Sequence, residues 1–333
     1  MNKKVLGALV LLAGTLVATG VAEKMTETRV ANVPTVGVLQ FMSHPALDAI
    51  YEGLREGLED SGYRIGRTVK IDFQNAQGDQ SNLKTMATRF EDEDAAVSVG
   101  IATPAAVAVA NTIKAKPVIF SASTNPIGAK LVKTYAHPGS NVTGVSDQAP
   151  LAAHLKMMRA LMSDLKTVGI IYTSSDDSAT TEAKKFEKLV KQAHLQVKLY
   201  SIASSNDLNQ TSLQMVQNHN VDAVFVPTDN TIAGAMTTLI KNTDEANVPV
   251  FPTVDTMVTA GGVAAESINQ KQIGIMTGKM IAKVLKGAKP KTIPVQFMKQ
   301  GTLVINKAQA AKLGIHIPVE YAAKAKFVKS EVK

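Results

Sequence analysis

Carboxylates and small hydroxyl side chains stand where short β-branched runs of this chain end. Asp229 lies in Pro227-Thr228-Asp229-Asn230 and Asp255 in Thr253-Val254-Asp255-Thr256, while Thr103, Ser123 and Thr124 close other runs. A carboxylate at such a rim can hold an ammonium group, because a buried cation needs a paired charge. Hydroxyls beside the free N–H groups of a helix start can hold a carboxylate. These residue types suit non-covalent capture of a small charged ligand, and Thr103 and Asp229 read equally well as helix caps. Catalytic signatures are missing: there is no Gly-x-Ser-x-Gly elbow, Gly-x-x-x-x-Gly-Lys-Ser/Thr loop, His-Glu-x-x-His or Gly-x-Gly-x-x-Gly turn. His44, His137, His154, His194, His219 and His316 are dispersed at no metal-ligand spacing, and the chain has no Cys. That removes thiol nucleophiles, disulfides and iron–sulfur ligation. No catalytic residue, metal or cofactor is expected, and the chain does not read as an enzyme.

The elements that must position these residues follow from the hydrophobic pattern. From Pro34 onward, short apolar runs alternate with amphipathic segments, as in βαβ units with parallel sheets. Strands are expected near Val36–Phe41, Val69–Asn75, Ala96–Ala102, Pro117–Ser123 and Asn141–Ser146. Helices Ala46–Ser61, Asn82–Glu91 and Ala105–Ile113 lie between them; Leu47, Ile50, Leu54 and Leu58 share one face of the first. After Pro150 the alternation starts again, with strands Val168–Tyr172, Val197–Ile202, Ala223–Val226 and Val250–Val254 separated by helices, one of them Thr231–Lys241. A strand Val263–Ser267, a helix Ile273–Leu285 and a strand at Pro294–Met298 follow. Two lobes fit this pattern better than one sheet.

The chain has 333 residues, 45% hydrophobic and 19% charged, enough to bury a core in each lobe. Its net charge of +8 is scattered rather than gathered beside aromatics, so a solvated basic surface is expected and nucleic acid is not. Lys3 and Lys4, the apolar run from Val5 and the small residues Gly20 and Ala22 form an export signal over residues 1–22. The run is also about the length of a membrane anchor, so cleavage before Glu23 and retention at the membrane surface both stay open.

The stretch Gln40-Phe41-Met42-Ser43-His44-Pro45-Ala46-Leu47-Asp48 ends the first strand and opens a helix, the place where an open α/β sheet binds ligands. It resembles the opening of the extracytoplasmic solute-binding proteins of ATP-binding-cassette importers, in the family with tryptophan-binding members. Further matching pieces are Ala102-Thr103-Pro104-Ala105, Asn125-Pro126-Ile127-Gly128, Asn141 to Asp147, Thr228 to Thr231, Leu303 to Asn306 and Leu313 to Pro318, in order along the chain. The pattern departs at Ser43, where an acidic residue is common, at Asn125, where Asp is common, and at Glu266 to Gln270, where Tyr-Gly-x-Asp-Tyr is usual.

The resemblance implies an α/β, two-lobed periplasmic-binding-protein type I fold, each lobe a mostly parallel sheet flanked by helices, with three hinge crossovers. Lobe 1 would take residues 34–146 with 269–295, lobe 2 residues 147–268 with 296–330, with crossings near Ser146–Pro150, Ile268–Lys271 and Ile293–Gln296. The expected ligand is a small zwitterion, an aromatic or hydrophobic amino acid, closed between the lobes and delivered to a permease with ATPase subunits. Thr103, Ser123, Thr124 and Asn125 would meet its carboxylate, and Asp229 and Asp255 its amine. Phe41, His44 and Tyr172 would line the side-chain pocket. Gln40, Ser43, Ser146, Asp147, Ser174, Asn230 and Asn269 complete the candidate set. Two other classes fit the same fold: a membrane-tethered ligand sensor, and a sugar or nucleoside receptor, which the absence of Trp disfavours.

Overall fold

A computed structural model describes residues 33–298 and 301–329. The expected export signal lies outside them.

The first sheet has six parallel strands. Strand β1 (Thr35–Gln40) leads into helix α1 (Pro45–Asp60), then β2 (Lys70–Asn75), α2 (Gln80–Asp92), β3 (Val97–Ile101), α3 (Thr103–Thr112), β4 (Val118–Ser121) and β5 (Val142–Ser146). The chain then builds a second, four-stranded parallel sheet through α4 (Leu151–Leu161), β6 (Thr167–Thr173), α5 (Asp177–Gln192), β7 (Gln196–Ile202), α6 (Leu208–Val216) and β8 (Ala223–Val226). Helices α7 (Asn230–Gly234) and α8 (Met236–Glu245) lead to its last strand, β9 (Val250–Pro252). After α9 (Asp255–Thr259) come β10 (Ala264–Ser267), α10 (Gln270–Leu285), β11 (Gln296–Phe297), β12 (Thr302–Asn306), α11 (Lys307–Lys312), α12 (Val319–Ala322) and β13 (Lys326–Val328).

The strands of the first sheet run β11-β5-β4-β3-β1-β2 and those of the second β7-β6-β8-β9. Each order reverses once, between β1 and β3 and between β6 and β8. At such a switch point the connections leave on opposite faces and a crevice opens beyond the strands' carboxyl ends. The two crevices face each other. Strands β10, β12 and β13 form a third, mixed sheet, which joins the second through a bond from Val263 N to Val250 O. Buried Leu39, Ile101 and Phe120 anchor one core, and Phe186, Phe225 and Phe251 another.

Three differences from the sequence reading have local causes. Gln296–Phe297 pairs with Val145–Ser146 in the first sheet, so the third connection lies beyond Phe297 and not at Ile293–Gln296. The segment expected as one helix over Thr231–Lys241 is two, broken at Ala235 (φ −123°, ψ 21°) beside Gly234. The third sheet was not expected at all, because β12 and β13 are short and far from β10 in sequence.

Helix α10 returns from the second lobe to pack along α1. A Cβ built on Gly53 would stand 2.0 Å from Lys271 O and one on Gly274 2.0 Å from Ile50 O; Gly57 and Gly278 repeat the contact one turn on, each 2.2 Å from a carbonyl. Only hydrogen at these four positions allows the backbones to touch. The pair fixes both helix starts, and with them His44 and Gln270, at the cleft.

Candidate functional site

Between the facing strand ends lies a cavity lined from lobe 1 by His44, Ala46, Leu47, Thr103, Ala122, Thr124 and Gln270, with Asp147 entering from the first connection between the lobes. Lobe 2 contributes Asp176, Ser178, Thr228, Asp229, Asn230, Ala233 and Val254. Its free volume is only about 20 Å³, room for a water and not for an amino acid. Entry of a larger ligand therefore requires movement of the lobes or of these side chains. Side-chain bonds span the gap: His44 Nε2 lies 3.1 Å from Asn230 Oδ1, and Ser178 Oγ donates to Thr103 Oγ1 at 3.0 Å.

The lobe 1 wall is neutral. Thr103 opens α3, yet no side chain caps that helix, and Pro104 occupies its first turn. The Thr103 hydroxyl is shared instead with Ser123 Oγ at 3.0 Å, while Ser146 Oγ donates to Ser123 O at 2.7 Å. Strands β3 and β4 both end on an alanine in the left-handed region, Ala102 at φ 72° and Ala122 at φ 57°. Such backbone costs on the order of 1–3 kcal/mol for a residue with a Cβ and clusters at binding sites. Close packing enforces the first turn of α3: a Cβ on Gly100 would meet Ala106 N at 2.4 Å.

The other side is acidic. Asp229 is buried, and its carboxylate accepts bonds from Thr173 N (2.6 Å), Thr173 Oγ1 (2.9 Å) and Ile232 N (3.0 Å), capping α7 while facing the cavity. Asp176 caps α5 through Ser178 N and Ala179 N. Burial pushes its carboxyl up to about 6, and the charges of Asp229 and Asp147 add to the rise. Asp147 follows β5 at the first connection between lobes. Burial raises it to about 6 against the pull of the Thr124 hydroxyl and its own backbone N–H, and its buried Oδ1 has no hydrogen-bond partner among the described residues. Behind this wall Glu182 accepts from Thr228 N and is pushed by burial to about 7. None of these acids is in an ion pair among the described residues.

The cavity brings together His44, Thr103, Thr124, Asp147, Asp229 and Asn230 of the expected residues. Ser123 and Ser146 stand directly behind it. Gln40 is buried and donates to Met42 O and Asp48 Oδ1, and Ser43 is exposed and donates to the same carboxylate; both brace the turn into α1. Asn125 accepts from Gly128 N within its own turn. Phe41 packs into the lobe 1 core and Tyr172 against the core of lobe 2. Tyr172 shares a strand face with Ile170, whereas Thr173, one residue on, points to Asp229: alternation along β6 decides which of them reaches the cleft. Ser174 bonds Ile202 O at an exposed position. Asp255 bonds Thr256 N and feels the charge of Lys326, away from the cavity, and its neighbour Val254 takes the lining position. Asn269 caps α10, leaving the adjoining Gln270 to face the cleft.

Asp176, Ser178, Thr228, Gln270 and Glu182 were not among the candidates read from the sequence. Glu182 carried a signal: it interrupts the stripe Ala179, Ala183, Phe186, Val190 on the buried face of α5. Among the described residues no helix is long and apolar enough to cross a membrane, and no group of three or more His, Asp or Glu is placed to hold a metal.

Comparison with known proteins agrees with this architecture. The sequence matches the family "ABC transporter substrate binding protein" over residues 35–329. It is 32% identical over 272 residues to the tyrosine-binding protein of Clostridioides difficile (strain R20291), spanning 82% of this chain and 78% of that one. Among solved structures, an ABC domain in complex with L-Trp from Streptococcus pneumonia is 43% identical with TM-score 0.85, covering 89% of this chain and 99% of the other. The ligand-free, open structure of a substrate-binding protein with adhesive properties from Clostridium difficile is 30% identical with TM-score 0.71, covering 90% and 100%. This chain thus belongs to the ABC transporter substrate-binding proteins and has their type I periplasmic-binding fold.

Proposed function

We propose that this chain is the exported receptor of an importer that captures an aromatic α-amino acid between its lobes and hands it to a permease with ATPase subunits. The observation that carries the reading is the asymmetry of the cavity: neutral donors on one wall, unneutralised carboxylates on the other. An α-amino acid is the small ligand whose charges match both. Its carboxylate would meet the Thr103 hydroxyl and the uncapped N–H groups that open α3. Its ammonium would lie against Asp147, the acid with an unpartnered oxygen, while Asp229 is occupied by its three donors. The relatives named for tyrosine and solved with L-Trp support an aromatic side chain. Small Ala46, Ala122 and Ala233 would give that ring room as the lobes part. The higher TM-score with the L-Trp complex than with the open, ligand-free relative supports a closed state here.

Thermal denaturation against amino acids, pentoses and nucleosides tests the ligand class. Ligand at a hundred times its Kd adds about 2.7 kcal/mol to stability, and an aromatic amino acid is expected to raise Tm by several degrees. A shift by a pentose or nucleoside with none by any amino acid overturns the reading. The chain contains no Trp, so the fluorescence of added L-Trp is read without emission from protein Trp.

A further inference from the structure

His44 differs from the other cavity-lining groups in having one ring nitrogen engaged and the other idle. Nε2 lies 3.1 Å from the Asn230 carbonyl oxygen Oδ1, which can only accept. With the Asn230 amide in this orientation the ring proton is assigned to Nε2, which leaves Nδ1 an acceptor. Nδ1 is buried with no hydrogen-bond partner among the described residues. The protein had an obvious use for it, since His44 is the N-cap residue of α1, yet its side chain makes no capping bond. A buried acceptor left unsatisfied is costly, and at a ligand cavity the ligand is the group able to satisfy it.

The surroundings say which end of the ligand. Ala46, Ala233 and Val254 pack in one apolar cluster, and Ala233 lies one turn beyond Asn230. Asp176 feels the charges of both Asp229 and Asp147, which marks where the acids of the cavity gather. An ammonium is drawn to that region, which leaves the side chain to reach His44.

We propose that His44 is a specificity-determining acceptor, its Nδ1 receiving a hydrogen bond from an N–H or O–H on the ligand's ring, so that the site selects tryptophan or tyrosine over phenylalanine. This rests on the amino-acid reading above and sharpens it. Burial, the largest influence on the imidazole, lowers its pKa against the opposing effects of Asn230 and the Asp48 charge, which keeps the ring neutral at pH 7.

The test compares isosteric ligands that differ in the donor. Calorimetric Kd values are measured for L-tryptophan against 3-(benzothiophen-3-yl)-L-alanine, in which sulfur replaces the indole N–H, and for L-tyrosine against L-phenylalanine. For whichever of L-tryptophan and L-tyrosine binds more tightly, loss of the donor is expected to weaken binding about tenfold. In His44→Leu that ratio is expected to fall to about one. The wild-type comparison needs no variant and stands even if His44→Leu fails to fold. A wild-type loss under threefold, or an unchanged ratio in the variant, overturns the acceptor role and leaves the amino-acid reading intact. Binding by none of the four compounds overturns both.

Discussion

The two walls of the cleft use the same element, the carboxyl end of parallel strands at a switch point, and arrive at opposite electrostatics. In lobe 1 the strand ends present Thr103, Ser123 and Thr124, and their backbone turns through positive φ at Ala102 and Ala122. In lobe 2 they present Asp176 and Asp229, with Glu182 behind and Asp147 joining from the first connection. The fold fixes where a ligand lies, and the side chains at the rim fix which charge each half prefers. The acidic half carries the electrostatic cost. Burial raises the carboxyls of Asp147, Asp176 and Asp229, a cost that a ligand ammonium would offset on binding.

The largest break in this comparison comes from neutralising the acidic wall. Asp147→Asn preserves shape and removes the charge of the cavity acid whose buried Oδ1 lacks a partner among the described residues. We expect calorimetry to show the affinity for the cognate aromatic amino acid falling about a hundredfold, roughly 2.7 kcal/mol, with Tm of the ligand-free protein unchanged or raised.

Titration comes next. Asp147 and Asp176 stand at about 6 and Glu182 at about 7, all raised by burial. A carboxyl whose folded pKa is raised contributes stability fully present below its unfolded value, near 4, and lost as pH rises through the folded value. Between about pH 4 and 7 the ligand-free protein should therefore gain stability from these acids on acidification. His154 opposes the trend: it is buried edge-on to Phe225 and lowered to about 4, so its contribution is lost as pH falls from about 6.5 towards 4. Binding of an ammonium needs the acids ionised, and affinity should fall about tenfold from pH 8 to pH 5 for one linked proton. Calorimetry in buffers of different ionisation enthalpy should register proton release on binding below pH 7. A flat profile would mean that the acidic wall does not contact the ligand.

On the neutral wall the expected effect is smaller. Thr103→Val removes the hydroxyl shared by Ser123 and Ser178, and should weaken binding about five- to tenfold, about 1–1.4 kcal/mol, in the same calorimetric assay. Smallest is Asp255→Asn, expected to stay within twofold of wild type, because the side chain is turned away towards Thr256 N and Lys326. A tenfold loss there would place the amine site elsewhere on the rim.

How much of this was legible in sequence differs between strand ends and strand faces. Polar residues after β-branched runs located Thr103, Thr124, Asp147, Asp229 and Asn230, because parallel strands deliver their carboxyl ends to one rim whatever their register. Which of two neighbours faces the cleft was not legible. Tyr172 against Thr173, Asp255 against Val254 and Asn269 against Gln270 each turn on a one-residue step, and strand parity or a helix start settles them. The frame was hidden for another reason. Gly53, Gly57, Gly274 and Gly278 recur at a spacing of four in two helices more than 200 residues apart, and their meaning appears only once α10 lies against α1.

The central claim is that the cleft recognises both charges of an α-amino acid at once, one on each wall. The most direct measurement is calorimetry of L-tryptophan against tryptamine, which lacks the carboxylate, and indole-3-propionate, which lacks the amine, with the tyrosine series in parallel. The account predicts that each truncated analogue binds at least a hundredfold more weakly than the intact amino acid. An analogue binding as tightly as its parent would contradict it, and would show which wall the ligand does not touch.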